Sequence, residues 1–244
     1  MKQTIGNPVA KFRMLLRKDV RLNRLQLSSV LCANLGPYVG FIALSFLNHD
    51  RMPRHMPLNY YQLGVQWSSA AAMGLFFGAP AAAVYGGAAF TRERRERWSE
   101  FLAMMPIARW QVVLSKLLAC VVPLVAFFYL HWYVLTGWGR WPMSHTFGYI
   151  LSLQFDVFQC AACYIALFGT AWLFSTILES ATIAGGVAIC CVAGAILIGR
   201  SVIGLYVPSR FEDFSSHWAE IFAGVLGLLA LVRGSFYYVR RIAP

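Results

Sequence analysis

Charged residues are scarce in this chain: Asp, Glu, Lys and Arg together make up 13% of its 244 positions. A soluble domain carries about twice that share, near 25%. Hydrophobic residues make up 59% of the chain, and the mean hydropathy is +0.58. The shortage of charge excludes an ordinary soluble protein and predicts an integral membrane protein.

The chain contains six apolar runs, each long enough to cross about 30 Å of hydrocarbon as a helix. Their residues do not alternate in polarity, as the strands of a membrane barrel would. We therefore predict an all-α membrane protein with one domain over residues 1–244, divided into an N-terminal segment (1–26), a six-helix bundle (27–239) and a tail (240–244). The predicted spans are Leu27–Leu47, Trp67–Phe90, Val112–Thr136, Gly148–Phe174, Thr182–Gly199 and Ala219–Val239.

Basic residues are distributed unevenly between the two sides that six spans define. Of the 21 Lys and Arg residues, 16 lie in the N-terminal segment, between Arg92 and Lys116, or in Arg233–Arg241. The other five lie in connections on the opposite side: Arg51, Arg54, Arg140, Arg200 and Arg210. The positive-inside rule then predicts that both termini are cytoplasmic. The net charge of +11 is thus a topology signal, with anionic lipid contact as a secondary role, and predicts no nucleic-acid binding.

Residues Val9–Leu25 combine basic positions with apolar residues that recur at roughly helical spacing, namely Phe12, Leu15, Leu16 and Val20. This pattern predicts a helix lying on the inner membrane surface before the first span. The alternative is a plain basic anchor.

Small residues and prolines mark the interior of several spans. Gly74 and Gly78 form a G-x-x-x-G pair in the second span, and the fifth span is similarly rich in Ala and Gly. Because small residues allow close approach of helices, we expect both spans to pack inside the bundle or against a second copy. Pro37, Pro80 and Pro123 lie within the first three spans, where each can kink its helix.

The six cysteines all fall within predicted spans, which argues against a disulfide framework. Cys160 and Cys163 have the spacing of a redox or metal pair, but no His or third Cys lies nearby. We interpret them as small residues that permit close packing and predict no metal site.

Polar residues inside or beside the spans are candidates for a transport pathway. Asp156 and Gln159 lie one turn apart in the fourth span, and an acid within the membrane is by default a functional candidate. The alternatives place Asp156 near the outer interface or give it an internal hydrogen-bonding role. We expect His131 to lie in the outer aromatic belt with Trp132, Tyr133, Trp138 and Trp141. In the last outer loop we expect a short helix dipping into the membrane.

The chain lacks a phosphate-binding loop. That loop requires a Gly-Lys pair, and none of Lys2, Lys11, Lys18 and Lys116 follows a glycine. The chain therefore cannot hydrolyse ATP by that route. H-E-x-x-H and G-x-S-x-G are also missing, so we predict no enzymatic activity and no cofactor in this chain.

The most charged stretch is Thr91–Arg109, which holds five arginines and three glutamates between two apolar runs. An apolar stripe runs through it at helical spacing, and Pro106 then breaks the pattern. This predicts a short amphipathic helix in a surface loop. The members of the stripe are Trp98, Phe101, Leu102 and Met105.

This loop resembles the first cytoplasmic loop of type-2 ATP-binding-cassette exporter permeases. The family typically shows Glu-Arg, a second Glu, Leu, and then Pro-[Val/Ile]-[Ser/Ala]-Arg with a Lys opening the third span; here the residues are Glu96-Arg97, Glu100, Leu102, Pro106-Ile107-Ala108-Arg109 and Lys116. The N-terminal LLRKDVRLNR is similar to the family's Leu-x-Lys-Asp-Leu-Arg opening. Trp98-Ser99 departs from the Gly-Thr or Arg-Thr that is common in the family.

The resemblance implies a permease subunit in a bacterial cytoplasmic membrane, paired with a second permease subunit, identical or related. A separate ATPase subunit would bind ATP and Mg and dock on the loop. The coupling surface implied by the family comprises Glu96, Arg97, Glu100, Phe101, Pro106 and Arg109. The alternative for the loop is a solvated helix without a partner. The rival functions are an ion-coupled secondary transporter or channel, and a membrane enzyme or assembly factor.

Overall fold

The fold is helical throughout the part of the chain that the structure, a computed structural model, describes: residues 8–49, 60–95, 108–138, 157–206 and 212–241. No strand occurs in these ranges, which confirms the predicted all-α class. The seven helices of these ranges are α1 (Pro8–Leu22), α2 (Arg24–His49), α3 (Tyr60–Arg95), α4 (Arg109–Trp138), α5 (Val157–Ser175), α6 (Ala181–Tyr206) and α7 (Glu212–Arg241).

Five of these helices contain a stretch long and apolar enough to cross a membrane, which indicates a multi-pass membrane protein. The stretches are Arg24–Leu44, Gln66–Thr91, Arg109–Leu135, Ala181–Val202 and Trp218–Arg240. The predicted fourth span corresponds to α5, whose described apolar part, Gln159–Ser175, is shorter. Residues 139–156, where that span was predicted to begin, lie outside the described residues.

The N-terminal helix α1 runs almost directly into α2, which contains the first candidate span. The Asn23 amide donates to the Asp19 carbonyl at 3.0 Å, and the Leu27 amide donates to the Asn23 carbonyl at 2.8 Å. Because these i−4 hydrogen bonds continue across the junction, α1 and α2 are linked by a turn of one residue. The predicted N-terminal helix is thus confirmed as a helix.

The buried face of α1 differs from the predicted stripe in one position. Leu15 is buried as expected, but Val20 is 41% exposed and Asp19 takes the buried place. Asp19 lies four residues after Leu15, one helical turn along the same face. It can be buried because a cation from another helix reaches it, as described below.

The centre of the bundle is α3, in which 61% of the span is buried, against 17–33% for the other four spans. Its alanines and glycines bring neighbouring backbones close: a Cβ on Gly86 would lie 2.8 Å from the Phe168 carbonyl oxygen of α5, and one on Gly87 would lie 2.7 Å from the Ala181 carbonyl oxygen of α6. The expectation that this span packs inside the bundle is confirmed.

The other span rich in small residues, α6, lies at the edge of this chain rather than inside it. Only 22% of its span is buried. A Cβ on Gly185 would lie 3.1 Å from Val84 Cα of α3, whereas one on Gly186 or Gly194 would have no atom within 4 Å. Gly185 therefore serves packing within the chain, and so does Gly199, where a Cβ would lie 3.3 Å from Ala219 Cβ of α7. Gly186 and Gly194 lie on an open face.

Two further expectations concern helix continuity. Pro37, Pro80 and Pro123 lie inside α2, α3 and α4, as predicted. The second span was expected to end at Phe90, but α3 continues to Arg95, so the first charged residues of the loop extend the helix of the span. A Thr91 hydroxyl that donates to the Gly87 carbonyl at 3.2 Å lies at this transition.

Candidate functional site

A buried ion pair joins α1 to α4 at the end of the bundle where the basic segments meet, called here the basic end. Lys116 Nζ lies 3.3 Å from Asp19 Oδ1. The exposed fractions of the two side chains are 2% and 0%. Removing two such charges from water costs several kcal/mol each, which only a well-formed pair with further hydrogen bonds offsets.

Further hydrogen bonds complete this pair. Lys116 donates to the Ala89 carbonyl of α3 at 3.0 Å, and the Ser115 hydroxyl lies 2.6 Å from Asp19 Oδ2. Lys18 Nζ approaches Asp19 Oδ1 to 3.6 Å. Both carboxylate oxygens thus have a partner, and three helices, α1, α3 and α4, meet at one lysine.

The aromatic side chains around Lys116 extend the connection to α5 and α7. Lys116 Nζ lies 5.5 Å from the centre of the Phe90 ring, within the range of a cation–π contact. Phe90 packs against Trp172 of α5 at 4.7 Å and Tyr238 of α7 at 4.2 Å between ring centres. Trp172 also donates from its indole nitrogen to the Ser235 hydroxyl at 3.2 Å.

Arg109 makes a separate connection at the same end. It begins α4, and its guanidinium donates to the Val239 carbonyl of α7 at 3.1 Å. The loop between α3 and α4 therefore follows the helix that carries Phe90 and leads into a residue bonded to α7.

Of the predicted coupling residues, the structure describes Arg109 alone. Glu96, Arg97, Glu100, Phe101 and Pro106 lie outside the described residues, and so does Asp156. Gln159 is described: it lies near the start of α5, is partly buried and interacts with other groups of the chain. Its predicted pathway role stays a prediction.

A second polar cluster lies inside the bundle and corrects the expectation for His131. This histidine is fully buried rather than placed in the outer aromatic belt. Its Nδ1 lies 2.9 Å from the Tyr38 hydroxyl and its Nε2 lies 3.0 Å from Asn34 Oδ1. Because the Asn34 amide nitrogen donates to the Val30 carbonyl at 2.8 Å, Asn34 Oδ1 is the acceptor, which assigns the proton to His131 Nε2.

Two glycines of α3 make room for this cluster. A Cβ on Gly74 would lie 2.9 Å from His131 Nε2, and one on Gly78 would lie 2.5 Å from Asn34 Oδ1 and closer still to the Tyr164 hydroxyl. The G-x-x-x-G pair therefore accommodates buried polar side chains from α2, α4 and α5. The neighbouring belt residues Trp132 and Tyr133 are exposed, at 41% and 61%.

At the opposite end of the bundle, Arg200 of α6 forms an ion pair with Glu220 of α7. Arg200 Nε also donates to Glu220 Oε1 at 3.1 Å. Both residues lie in long helices, so the short dipping helix expected in this region is wrong for the described residues 200–206 and 212–218. The two spans simply continue past the predicted boundaries.

Glu220 is a buried acid close to the start of the candidate span Trp218–Arg240. Its side chain is 4% exposed, and Oε2 has no hydrogen-bond partner among the described residues. The sequence feature that could have identified Glu220 is its position one residue inside the predicted sixth span. Arg200, one residue beyond the predicted fifth span, was the matching cation.

The cysteines are free thiols, with Cys160 and Cys163 partly buried in α5. The described residues contain no group of three or more His, Cys, Asp or Glu side chains arranged to hold a metal.

The ion pair at the basic end was missed as a site, although both partners carried a signal. Asp19 occupies a helical-stripe position one turn after Leu15, and Lys116 is the one lysine inside a predicted span. A charge in an apolar stripe and a charge in a span each require a partner, and the two signs are opposite. Both residues also belong to the segments that resemble the exporter permeases.

Comparison with known proteins adds no identification, since no family model, curated protein or solved structure matches the chain significantly.

Proposed function

We propose that this chain is the membrane-spanning permease subunit of an ATP-driven exporter, and that a separate ATP-binding-cassette ATPase supplies the energy. The single observation that carries the proposal is the buried Asp19–Lys116 pair. It joins the N-terminal helix to the first turns of α4, directly after the charged loop. The two segments that resemble the exporter permeases in sequence are therefore bonded to each other.

The charge distribution supports the orientation of the proposed subunit. The basic end gathers α1, the start of α4 and the end of α7, which together hold 10 of the chain's 21 Lys and Arg residues. The positive-inside rule predicts that these segments lie in the cytoplasm, where an ATPase would dock. We propose six spans, with α5 completing the fourth.

The proposed mechanism is mechanical. Closure of two ATPase subunits on ATP would displace the loop between α3 and α4 together with α1. Because Lys116 bonds to both Asp19 and the Ala89 carbonyl, a push on the loop moves α1, α3 and α4 as a unit instead of bending the connection. Two permease subunits, identical or related, would then open a pathway between them.

Co-purification of the tagged full-length chain from its native membrane tests the proposal. We expect an ATPase that carries a phosphate-binding loop to accompany the chain in stoichiometric amount, with vanadate-sensitive ATP hydrolysis. Reversal of loop charges in the variant Glu96→Lys/Arg109→Glu should reduce ATPase recovery at least tenfold. Such a loss corresponds to about 1.4 kcal/mol, a modest value for two interfacial charges.

The matched control is Glu179→Lys, which reverses an exposed acid in the turn between α5 and α6 at the same end. This variant should retain the ATPase. If ATPase recovery and transport survive the double reversal, or if both variants lose the ATPase equally, the docking proposal is wrong.

An ion-coupled secondary transporter is the second candidate, and the buried His131 favours it, because buried histidines serve proton relays in such proteins. In that case transport by reconstituted chain alone would follow an imposed proton gradient, and His131→Gln would uncouple it. An ATPase-dependent system would retain its ATP-driven transport in the absence of any gradient.

A further inference from the structure

An open cleft of about 550 Å³ lies beside the last turns of α7 at the basic end. The described residues that line it are Arg233, Phe236, Tyr237 and Arg240. Their spacing of i, i+3, i+4 and i+7 places all four on one face of the helix. Cleft volumes between about 300 and 1,000 Å³ are typical of sites for small ligands.

The charges of this cleft fit one phosphate group. Arg233 and Arg240 are exposed, and the ion pairs found among the described residues include neither of them. They are seven positions apart, about 10 Å along the helix axis. Two long arginine side chains at that spacing can converge on a phosphate between them, and the planar guanidinium binds phosphate through paired hydrogen bonds.

The same face continues into the membrane as an apolar ridge. Phe222, Val225, Leu229 and Val232 are 63%, 48%, 60% and 49% exposed. From Phe222 to Arg233 the helix rises about 16 Å, roughly half of a hydrocarbon core of about 30 Å. The ridge therefore has the length of one leaflet, and the cleft lies at headgroup depth.

We infer that this face of α7 binds an anionic phospholipid, with its phosphate between Arg233 and Arg240 and its acyl chains along the ridge. The exposed aromatic rings of Phe236 and Tyr237 (63% and 37%) lie between the arginines, at the glycerol level where aromatic side chains favour the interface. The ridge favours a lipid over a soluble phosphate, because a soluble phosphate has no acyl chain to pack against an apolar surface. This inference does not depend on the proposed transport function.

Lipid binding to the delipidated full-length protein in detergent tests the inference. Native mass spectrometry would compare phosphatidylglycerol with phosphatidylcholine for the wild-type chain and for Arg233→Gln/Arg240→Gln. We expect the variant to lose at least tenfold in affinity for phosphatidylglycerol, because two charge-assisted contacts disappear. Its binding of phosphatidylcholine should change little.

The matched control is Arg13→Gln/Arg17→Gln, which removes the same charge from exposed positions of α1. Long-range attraction alone would make the two double variants lose affinity equally, and that result would overturn the inference. A loss confined to the α7 variant supports it.

Two further experiments test whether the bound phosphate belongs to a lipid or to a soluble ligand, and whether the α7 face contacts lipid or protein. Glycerol phosphate at millimolar concentration should not displace the lipid; displacement would assign the cleft to a soluble ligand and overturn the lipid proposal. Lipid that binds the monomer but is excluded from a dimer would assign the face to protein contact instead. If the glutamine variant fails to fold, Arg233→Lys/Arg240→Lys takes its place. The affinity of this variant for phosphatidylglycerol should lie below the wild-type affinity for that lipid and above the affinity for phosphatidylcholine. Equal affinities for the two lipids would contradict the proposal.

Discussion

The two buried acids at opposite ends of the bundle have the same kind of partner but different surroundings. Asp19 pairs with Lys116, whose side chain is 2% exposed. Glu220 pairs with Arg200, whose side chain is 54% exposed. Both oxygens of Asp19 have partners, whereas Glu220 Oε2 has none among the described residues.

This difference indicates that the two ion pairs have different structural roles. The pair at the basic end holds three helices and is completed by Ser115 and the Ala89 carbonyl. The pair at the opposite end joins two neighbouring helices, and its cation remains in contact with the surroundings. We expect the fully compensated pair to hold its helices in one arrangement, and the half-exposed pair to respond more to changes in its surroundings.

The largest effect is expected when the pair at the basic end is broken. Asp19→Ala leaves Lys116 buried without its acid, which typically costs about 3–5 kcal/mol of unfolding free energy. Lys116→Met should cost a similar amount, because Asp19 is equally buried. Unfolding in detergent, followed by helical circular dichroism, measures both.

A double-mutant cycle separates this pair from the loss of packing. Asp19→Ala/Lys116→Met should cost far less than the sum of the single changes, because no unpaired charge remains. Lys18→Met, which removes a partly exposed neighbour at 3.6 Å, is the control and should cost under about 1 kcal/mol. Additive single effects would show that the pair is not coupled.

At the opposite end, the two single changes should lower the free energy of unfolding by different amounts. Arg200→Gln leaves the Glu220 carboxylate buried without a cation and should cost about 2 kcal/mol. Glu220→Gln leaves the exposed Arg200 to be solvated and should cost under about 1 kcal/mol. Thermal unfolding of both variants tests this asymmetry, and equal effects would remove the contrast between the two ends.

The fold followed from the sequence more closely than the site did. Apolar length alone located the five described spans, since hydrocarbon thickness constrains the length of a helix. The sequence marks Asp19 and Lys116 as charges that need a partner. Their pairing, and the burial of His131, depend on which helices become neighbours, and a single chain's periodicity does not contain that information. Glu220 was missed for the same reason, because its partner Arg200 belongs to a different predicted segment.

Between the two ends, the glycines of α3 allow a direct test of packing around the polar cluster. Gly78→Ala would place a Cβ 2.5 Å from Asn34 Oδ1 and should cost about 1–2 kcal/mol through forced side-chain shifts. Gly186→Ala on α6, where nothing lies within 4 Å, is the matched control. It should be neutral or stabilising, because alanine favours the helix by about 1 kcal/mol; unfolding temperatures that fall equally would contradict the assigned contacts.

The smallest expected effect is also the most direct comparison of the two pairs. Raising the salt concentration from about 0.05 M to 1 M reduces the Debye length from over 10 Å to about 3 Å and screens exposed charges. The coupling energy between Arg200 and Glu220 should then fall by a few tenths of a kcal/mol, because half of the Arg200 side chain is accessible. The coupling energy between Asp19 and Lys116 should stay constant, since salt does not reach a pair that is 0% and 2% exposed. Double-mutant cycles at the two salt concentrations measure both quantities, and a salt-sensitive Asp19–Lys116 coupling would mean that water reaches the basic end in solution.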